Sequence, residues 1–144
     1  MNTELPNIEI QVVSEIHRLH QFFVDWFNGI LPESEESFSS FLSATAQNFS
    51  IIPPSGQLIS LSALSSSLYE LHHKRPGLQI KVKNVQVQHQ IGDYVLATYE
   101  EWQLEQGDQE WNGRISTALL SHNESTPSGI MWHHVHETWL PTDD

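Results

Sequence analysis

Hydrophobic residues in the first half of the chain recur every three or four positions, the period of an amphipathic helix. The longest such stretch runs from Ile10 to Leu31, with Asn7 as a suitable N-cap before it and Gly29 near its end. Two shorter stretches with the same period follow, one capped by Ser34 and the other running on from Ser60. The pattern therefore predicts three helices, of which the first is the longest.

The period changes to two in the second half of the chain, as expected for strands. A short β-favouring segment at 47–52 separates the second and third helices. After the third helix, apolar residues alternate, and a phase shift at 83–84 indicates a β-bulge. Turn signals at 91–93 and 106–108 and a polar loop at 122–129 divide the remainder into four long strands. The predicted order is helix, helix, strand, helix and four strands.

Helices followed by an antiparallel meander are typical of an α+β fold in which a curved sheet wraps around the helices. Such a domain is cone-shaped, and its open mouth is where a pocket would form. No internal repeat or linker interrupts the pattern, so we expect a single domain over residues 1–144.

Composition narrows the class of function. The 144 residues contain 6 Lys plus Arg against 18 Asp plus Glu, a formal charge of −12. This argues against nucleic-acid and membrane partners, because phosphate contacts need a basic face. The absence of cysteine excludes disulfides, thiolate metal sites and a cysteine nucleophile. The first residues do not resemble a signal peptide and no stretch has transmembrane length, so we expect a cytoplasmic protein.

The last two strands resemble those of a known superfamily. Residues 132–139, WHHVHETW, resemble the closing strand of the nuclear transport factor 2-like superfamily, and residues 114–120, RISTALL, are similar to the penultimate strand of its association-domain branch. The superfamily has a cystatin-like fold and includes SnoaL-like polyketide cyclases, ketosteroid isomerases and the association domain of calcium/calmodulin-dependent protein kinase II. The resemblance implies a cone-shaped α+β barrel that usually dimerises through the convex face of its sheet.

The resemblance also suggests which side chains point into the cone. By similarity to the association domains, Glu137 and Trp139 on the last strand look inward, and alternation then assigns Trp132 to the convex face. The matching inward residues of the strand 94–104 include Tyr99 and Glu101. A register slip of one residue would exchange the two faces of that strand, so its orientation stays open.

These inward residues form the hypothesis of an acid–base pocket. Glu101 or Glu137 would act as the catalytic base, with a pKa raised by burial and by the second carboxylate. Tyr99 would donate a hydrogen bond to a developing oxyanion. The alternative interpretation is structural, with strand-end ion pairs and a core tyrosine, so the sequence leaves open whether the protein is an enzyme.

Three further residues are expected to bind the ligand. Arg114 would hold an anionic substrate or pair with a glutamate, whereas Trp102 and Trp139 would stack on a flat ligand. The expected ligand is a small organic molecule. The expected chemistry is of the isomerase, cyclase or dehydratase type on a carbonyl compound, without a metal or another cofactor.

The nine histidines raise the question of a metal site. Of His133, His134 and His136, only the last two can share a strand face, and two ligands do not make a zinc site. His17 and His20, one helical turn apart, could join them only if the helix reached that strand. We therefore predict no metal site and interpret the strand histidines as solvated or interface residues.

A competing hypothesis is an assembly module that homodimerises through its sheet face and leaves the pocket unused. Its support is the apolar set assigned to the convex face. This set comprises Leu96, Trp102, Leu104 and Trp132.

Overall fold

A computed structural model describes residues 7–141, which form three helices and one six-stranded sheet in the predicted α+β arrangement. The expectation drawn from the start of the chain concerns residues 1–6, which lie outside this range. The elements are α1 (Ile8–Phe27), α2 (Glu35–Leu42), β1 (Thr45–Ile52), β2 (Ile59–Ser60), α3 (Leu61–Glu70), β3 (Gln79–Ile91), β4 (Tyr94–Leu104), β5 (Asn112–His122) and β6 (Ile130–Trp139).

The three helices begin where short-range chemistry favours it. The Asn7 side chain accepts hydrogen bonds from the first turn of α1, and the Ser34 and Ser60 hydroxyls do the same for α2 and α3. In α1 the apolar stripe is buried against the sheet, and the Trp26 indole donates a hydrogen bond of 2.7 Å to the Leu68 carbonyl oxygen of α3. None of the helices within residues 7–141 is both long and apolar enough to cross a membrane.

The sheet has the strand order β2-β1-β6-β5-β4-β3. Strands β3 to β6 form the predicted antiparallel meander, but β1 pairs with β6 in parallel. The sheet is therefore mixed, because β6, the last strand of the meander, lies beside β1 and runs in the same direction. The short strand β2, which pairs with β1, was not predicted.

Register shifts interrupt the meander, and two of them bear on assignments made from the sequence. The predicted bulge in β3 is present: the register with β4 shifts after Lys83, and Asn84 has φ of 56°. A second irregularity lies between β5 and β6, where Leu119 pairs with His134 but Leu120 pairs with Trp132. The extra residue, His133, reverses the alternation of side chains at this point.

The second bulge corrects one assignment made from the sequence. Trp132 was expected on the convex face, but it is turned into the core and is 2% exposed. Glu137, beyond the bulge, faces inward as predicted, and Val135 lies on the same side. Simple alternation along β6 was wrong because one inserted residue places both Trp132 and Val135 on the same side.

Candidate functional site

Cross-strand pairing arranges the inward polar residues in two adjacent rows across β4, β5 and β6. The first row is Tyr99, Ser116 and Glu137, and the second is Glu101, Arg114 and Trp139. The inward orientation of Tyr99, Glu101 and Glu137 is thus as expected, and each is at most 7% exposed. Antiparallel neighbours of this kind have closely spaced side chains, so the two rows form one polar group of residues.

Four members of this group form one wall of a cavity of about 250 Å³ between the sheet and the helices. Aromatic and aliphatic side chains, mainly of α1, α2, β1 and α3, form most of the remaining lining, and Arg75 and Gln103 add two further polar side chains. Four of the predicted site residues line the cavity: Tyr99, Glu101, Arg114 and Glu137. A largely apolar cavity with a few converging polar groups is the usual form of a small-molecule site.

His20 of α1 completes the polar wall, and the sequence analysis did not assign it there. Its Nε2 lies 3.1 Å from Oε1 of Glu101, and its Nδ1 lies 2.6 Å from the carbonyl oxygen of Ile16. The sequence contained a signal for this buried position, because His20 follows Ile16 by four residues and therefore lies on the same, buried face of α1. A histidine on such a face needs buried partners for both ring nitrogens.

The surroundings of His20 favour its protonated form. A carbonyl oxygen only accepts hydrogen bonds, so Nδ1 donates to Ile16, and Nε2 faces the carboxylate of Glu101. Burial alone would lower the pKa of His20, but the charge and hydrogen bond of Glu101 outweigh it and raise that pKa. His20 and Glu101 therefore form a buried ion pair.

Glu101 is held in its ionised form. Burial would raise its pKa, but His20, Arg114 and the hydrogen bond from Gln103 lower it to about 2. Its Oε1 contacts His20, and its Oε2 accepts a hydrogen bond of 2.6 Å from Nε2 of Gln103. The direction of the shift is opposite to the one expected from the sequence, because the expectation did not include His20.

Glu137 differs from Glu101 in both its pKa and its contacts. Burial and the nearby charge of Glu101 raise its pKa, against the opposing effect of Arg114. Its Oε1 accepts one hydrogen bond of 3.2 Å, from Nη1 of Arg114. Two neighbouring carboxyl groups whose pKa values are moved apart are the arrangement used for acid and base roles. Tyr99, in the same row as Glu137, keeps its proton, because burial and both glutamates raise its pKa well above 10.0.

Arg114 has hydrogen-bonding capacity that the fold leaves unused. Its side chain is 17% exposed, and its buried Nε has no hydrogen-bond partner among the described residues. A buried donor without a partner is costly and rare. Arg114 also lines the cavity, so its side chain is placed to contact a bound molecule.

The structure does not bring Trp102 and Trp139 together with the other four predicted residues. Both line a separate depression at the end of the sheet. Trp102 lies on the outer face, over Gly113 of β5. Trp139 is inward by alternation, but its ring is at the mouth, 54% exposed and 4.7 Å from the Arg114 guanidinium.

The histidines of β6 have separate partners. His133 lies 2.7 Å from the Ser121 hydroxyl, and His134 lies 2.9 Å from the Ser50 hydroxyl. Within residues 7–141, no three histidine or carboxylate side chains converge as metal ligands.

Comparison with known proteins identifies the family. Residues 12–141 match the model of the C-terminal region of sucrose-6-phosphate phosphohydrolase. The chain belongs to this family. It is 30% identical over 129 residues to sucrose-phosphatase 2 and 28% identical to sucrose-phosphatase 1, both of Nicotiana tabacum. These alignments cover 88% of this chain but only 30% of each relative, so this family domain is matched to a minor part of longer proteins.

Solved structures confirm the fold that the last strands suggested. The family domain is similar to an NTF2-like protein of unknown function from Pseudomonas aeruginosa, with 24% identity, a TM-score of 0.81 and coverage of 91% and 99% of the two chains. The S. rosetta CaMKII hub has 12% identity, a TM-score of 0.69 and coverage of 96% and 100%. ActVI-ORFA from Streptomyces coelicolor has 10% identity, a TM-score of 0.60 and coverage of 92% and 96%. At these identities the similarity establishes the fold.

Proposed function

We propose that the cavity binds a small organic molecule and that Glu137 exchanges a proton with it. The observation that carries this proposal is the pair of Arg114 and Glu137 in the cavity wall, where the carboxyl group has a raised pKa. Arg114 would anchor an oxygen atom of the ligand, and Glu137 has only one of its oxygen atoms engaged by that arginine.

The roles of the two glutamates follow from their contacts. Glu101 accepts hydrogen bonds at both oxygens, so it serves as a fixed negative charge rather than as the proton carrier. Glu137 in its ionised form would take a proton from the carbon next to a carbonyl group and then return it to another atom of the same molecule. Tyr99 would donate a hydrogen bond to the oxyanion formed in between. This is metal-independent isomerase, cyclase or dehydratase chemistry.

Two kinds of ligand deserve priority in a search. Carbonyl compounds fit the acid–base groups, and saccharides or their phosphates are suggested by the names of the relatives, sucrose-phosphatases 1 and 2. Whether the domain turns over such a compound or only binds it is the question that distinguishes an enzyme from a binding domain.

The first test is native mass spectrometry of the untagged protein, compared with its denatured mass. We expect a small organic adduct, which can then be identified and titrated back. Replacing Glu137 with Gln should abolish turnover of a reactive ligand, whereas Glu100→Gln, on the opposite face of β4, should not. Full activity of the Glu137→Gln variant, or of a variant with Arg114→Leu, would refute the assigned roles.

A second candidate function is an association module, favoured by the similarity to the CaMKII hub. We propose that the outer face of β4–β6 would form a homodimer contact. With Trp132 in the core, the exposed apolar residues on this face include Ile115, which is 41% exposed, and Leu96 and Leu119 form a cross-strand pair farther along the same face. Replacing Ile115 with Glu should convert a dimer to a monomer in light scattering. A ligand-binding function should survive that change, whereas an assembly function should be lost.

The remaining expectations from the sequence belong to this proposal. They are a single working domain over residues 1–144, a cytoplasmic location, and no cofactor, nucleic-acid or membrane partner. The charge of −12 supports the exclusion of polyanionic partners.

A further inference from the structure

Aromatic side chains make up much of the lining of the cavity between the sheet and the helices. They come from four elements: Phe23 and Phe27 from α1, Phe41 from α2, Phe49 from β1 and Trp132 from β6. The Phe23 and Phe27 rings are stacked, with their centroids 6.1 Å apart. This lining favours a ligand with an apolar body, because polar groups placed against these rings would lose their water without gaining partners.

The charged side chains around the cavity are balanced in sign. Among the described residues that line it, each of the three cations faces a carboxylate. The pairs are His20 with Glu101, Arg114 with Glu137, and Arg75 with Glu105. A further charge brought in by a ligand would give up its water without meeting an uncompensated charge of opposite sign. The pairing therefore favours an electrically neutral ligand.

The uncharged polar groups of the lining are largely engaged within the fold. The Gln103 amide donates a hydrogen bond of 2.6 Å to Glu101 and accepts one of 3.1 Å from Arg75. The Thr45 hydroxyl donates to a backbone carbonyl oxygen at 2.7 Å. Tyr99 keeps its proton and lines the cavity, so its hydroxyl is placed to donate a hydrogen bond to a ligand. These contacts favour a ligand with one polar group over a ligand with many hydroxyl groups.

The volume of the cavity limits the size of the ligand. A dry apolar cavity of about 150 Å³ holds benzene. The present cavity measures about 250 Å³. The additional space accommodates a short substituent on such a ring, but not a second ring of the same size.

We propose that the ligand of this cavity is an uncharged compound with a single apolar ring and one carbonyl group, rather than a sugar or an organic acid. The ring would pack among the aromatic side chains of the lining, and Tyr99 and Arg114 would donate hydrogen bonds to the carbonyl oxygen. This inference rests on the proposed function and narrows its ligand to one chemical class.

The test compares phenylacetone with phenylacetate, which has nearly the same shape but carries a negative charge. Binding is followed at the indole N–H signals of the 15N-labelled protein, assigned with single Trp→Phe variants. We expect phenylacetone to shift the signal of Trp132 but not that of Trp111, which does not line the cavity. Phenylacetate and glucose should bind at least about tenfold more weakly, because the cavity offers no unpaired cation and few groups for hydroxyls.

Variants at Leu64, a partly buried residue of α3 in the lining, test the predicted size. Leu64→Trp fills part of the cavity and should weaken phenylacetone binding at least about tenfold. The matched control is Leu58→Trp, at a position that is 69% exposed, and it should bind as the unmodified protein does. Leu64→Ala enlarges the cavity, so it should strengthen binding of the two-ring naphthyl analogue relative to phenylacetone.

A charge variant tests the predicted neutrality. Glu137→Gln leaves Arg114 without its carboxylate partner, so it should raise the affinity for phenylacetate relative to phenylacetone at least about tenfold. Glu100→Gln, on the opposite face of β4, should leave that ratio unchanged. An unchanged ratio in Glu137→Gln would show that charge balance does not select the ligand.

Deuterium exchange tests the proposed function separately. In D₂O, ionised Glu137 would take a proton from the benzylic carbon of phenylacetone, the electron pair would move to the carbonyl oxygen, and the enolate would then accept a deuteron at the same carbon. Deuterium incorporation that Glu137→Gln abolishes supports the proposed function. Phenylacetone binding without incorporation would refute the role of Glu137 while still supporting the ligand class.

Several results would overturn the inference. It fails if phenylacetate or glucose binds the unmodified protein as tightly as phenylacetone does, although the proposed binding of a small molecule would then stand. It also fails if the naphthyl analogue binds the unmodified protein more tightly. If no probe shifts the Trp132 signal, the ligand class is wrong, and the adduct found by native mass spectrometry decides the proposed function independently.

Discussion

Two buried acidic clusters in the core differ in how completely their hydrogen-bonding groups are satisfied. Glu15 of α1 is fully buried; its two oxygens accept hydrogen bonds of 2.7 and 2.9 Å from Arg18, and Oε2 accepts another of 2.7 Å from the Trp132 indole. Arg18 in turn donates to the Ser40 hydroxyl at 2.8 Å. Glu137 is almost as buried, but it has one hydrogen bond, from an arginine whose Nε has no partner within residues 7–141.

The comparison shows that burial of a carboxylate does not by itself indicate a ligand site. The Glu15 cluster joins α1 to α2 and β6, and both of its carboxylate oxygens are engaged. The Glu137 cluster faces a cavity and retains unused capacity. Glu101 is intermediate, since it lines the cavity but has both oxygens engaged. We therefore expect the stability cost of removing each charge to decrease from Glu15 to Glu101 to Glu137.

The largest effect is expected for Glu15→Gln. The change removes the negative charge that compensates Arg18, whose side chain is 27% exposed, and weakens the bond from Trp132. We expect the free energy of unfolding in urea to fall by about 3 kcal/mol. Glu9→Gln, on the exposed face of the same helix, is the control and should change it by less than about 0.5 kcal/mol. Equal losses in the two variants would mean that the Glu15 cluster contributes nothing specific.

A smaller, pH-dependent effect is expected for Glu101→Gln. The pKa of Glu101 is about 2 in the folded protein, below the ordinary value of 4.5. The stabilisation that ionised Glu101 gives the folded protein is therefore fully present above pH 4.5, and it is lost as the pH falls through about 2. We expect Glu101→Gln to cost about 2 kcal/mol at neutral pH and to flatten the acid side of the stability profile.

Urea unfolding measured at a series of pH values down to about 2 tests this. The exposed loop variant Glu124→Gln should keep the wild-type profile. The pKa of His20, measured by NMR, should also fall in Glu101→Gln, because burial then acts without the compensating charge. An unchanged His20 titration would show that the two side chains are not coupled.

The smallest stability effect is expected for Glu137→Gln. Because burial and Glu101 raise the pKa of this group, a neutral amide is a good replacement, and the loss should be less than about 1 kcal/mol. The stabilisation that follows from this raised pKa is present below pH 4.5, where Glu137 is protonated. It is lost as the pH rises through the pKa that Glu137 has in the folded protein. A loss as large as that of Glu15→Gln would show that Glu137 is a structural residue rather than a site residue.

Much of the fold could be predicted because its signals are local. The caps at Asn7 and Ser34 act on the next turn of the chain, and the change of period from 3.6 to 2 marks the start of the meander. Alternation along one uninterrupted strand places Tyr99 and Glu101 on a shared face, and the resemblance to the superfamily indicated that this face points inward. Four of the six predicted site residues line one cavity.

The remaining features could not be predicted because they depend on partners distant in sequence. The bulge at His133 is defined only against β5, and it turned Trp132 from the expected convex face into the core. His20 meets Glu101 across 81 positions, and that contact reversed the expected pKa shift. The parallel pairing of β1 with β6 likewise joins two strands that are separated along the chain by β2, α3 and β3–β5.

The sequence by itself determined the order of the elements, their caps and turns, the faces of the regular strands and the acidic charge. These properties arise from the residues themselves and from neighbours a few positions away. Only the tertiary structure decided which acidic side chains are satisfied, which retain capacity for a ligand, and where the tryptophans gather. Those outcomes depend on distances between side chains of different elements, and no periodicity along the chain encodes such distances.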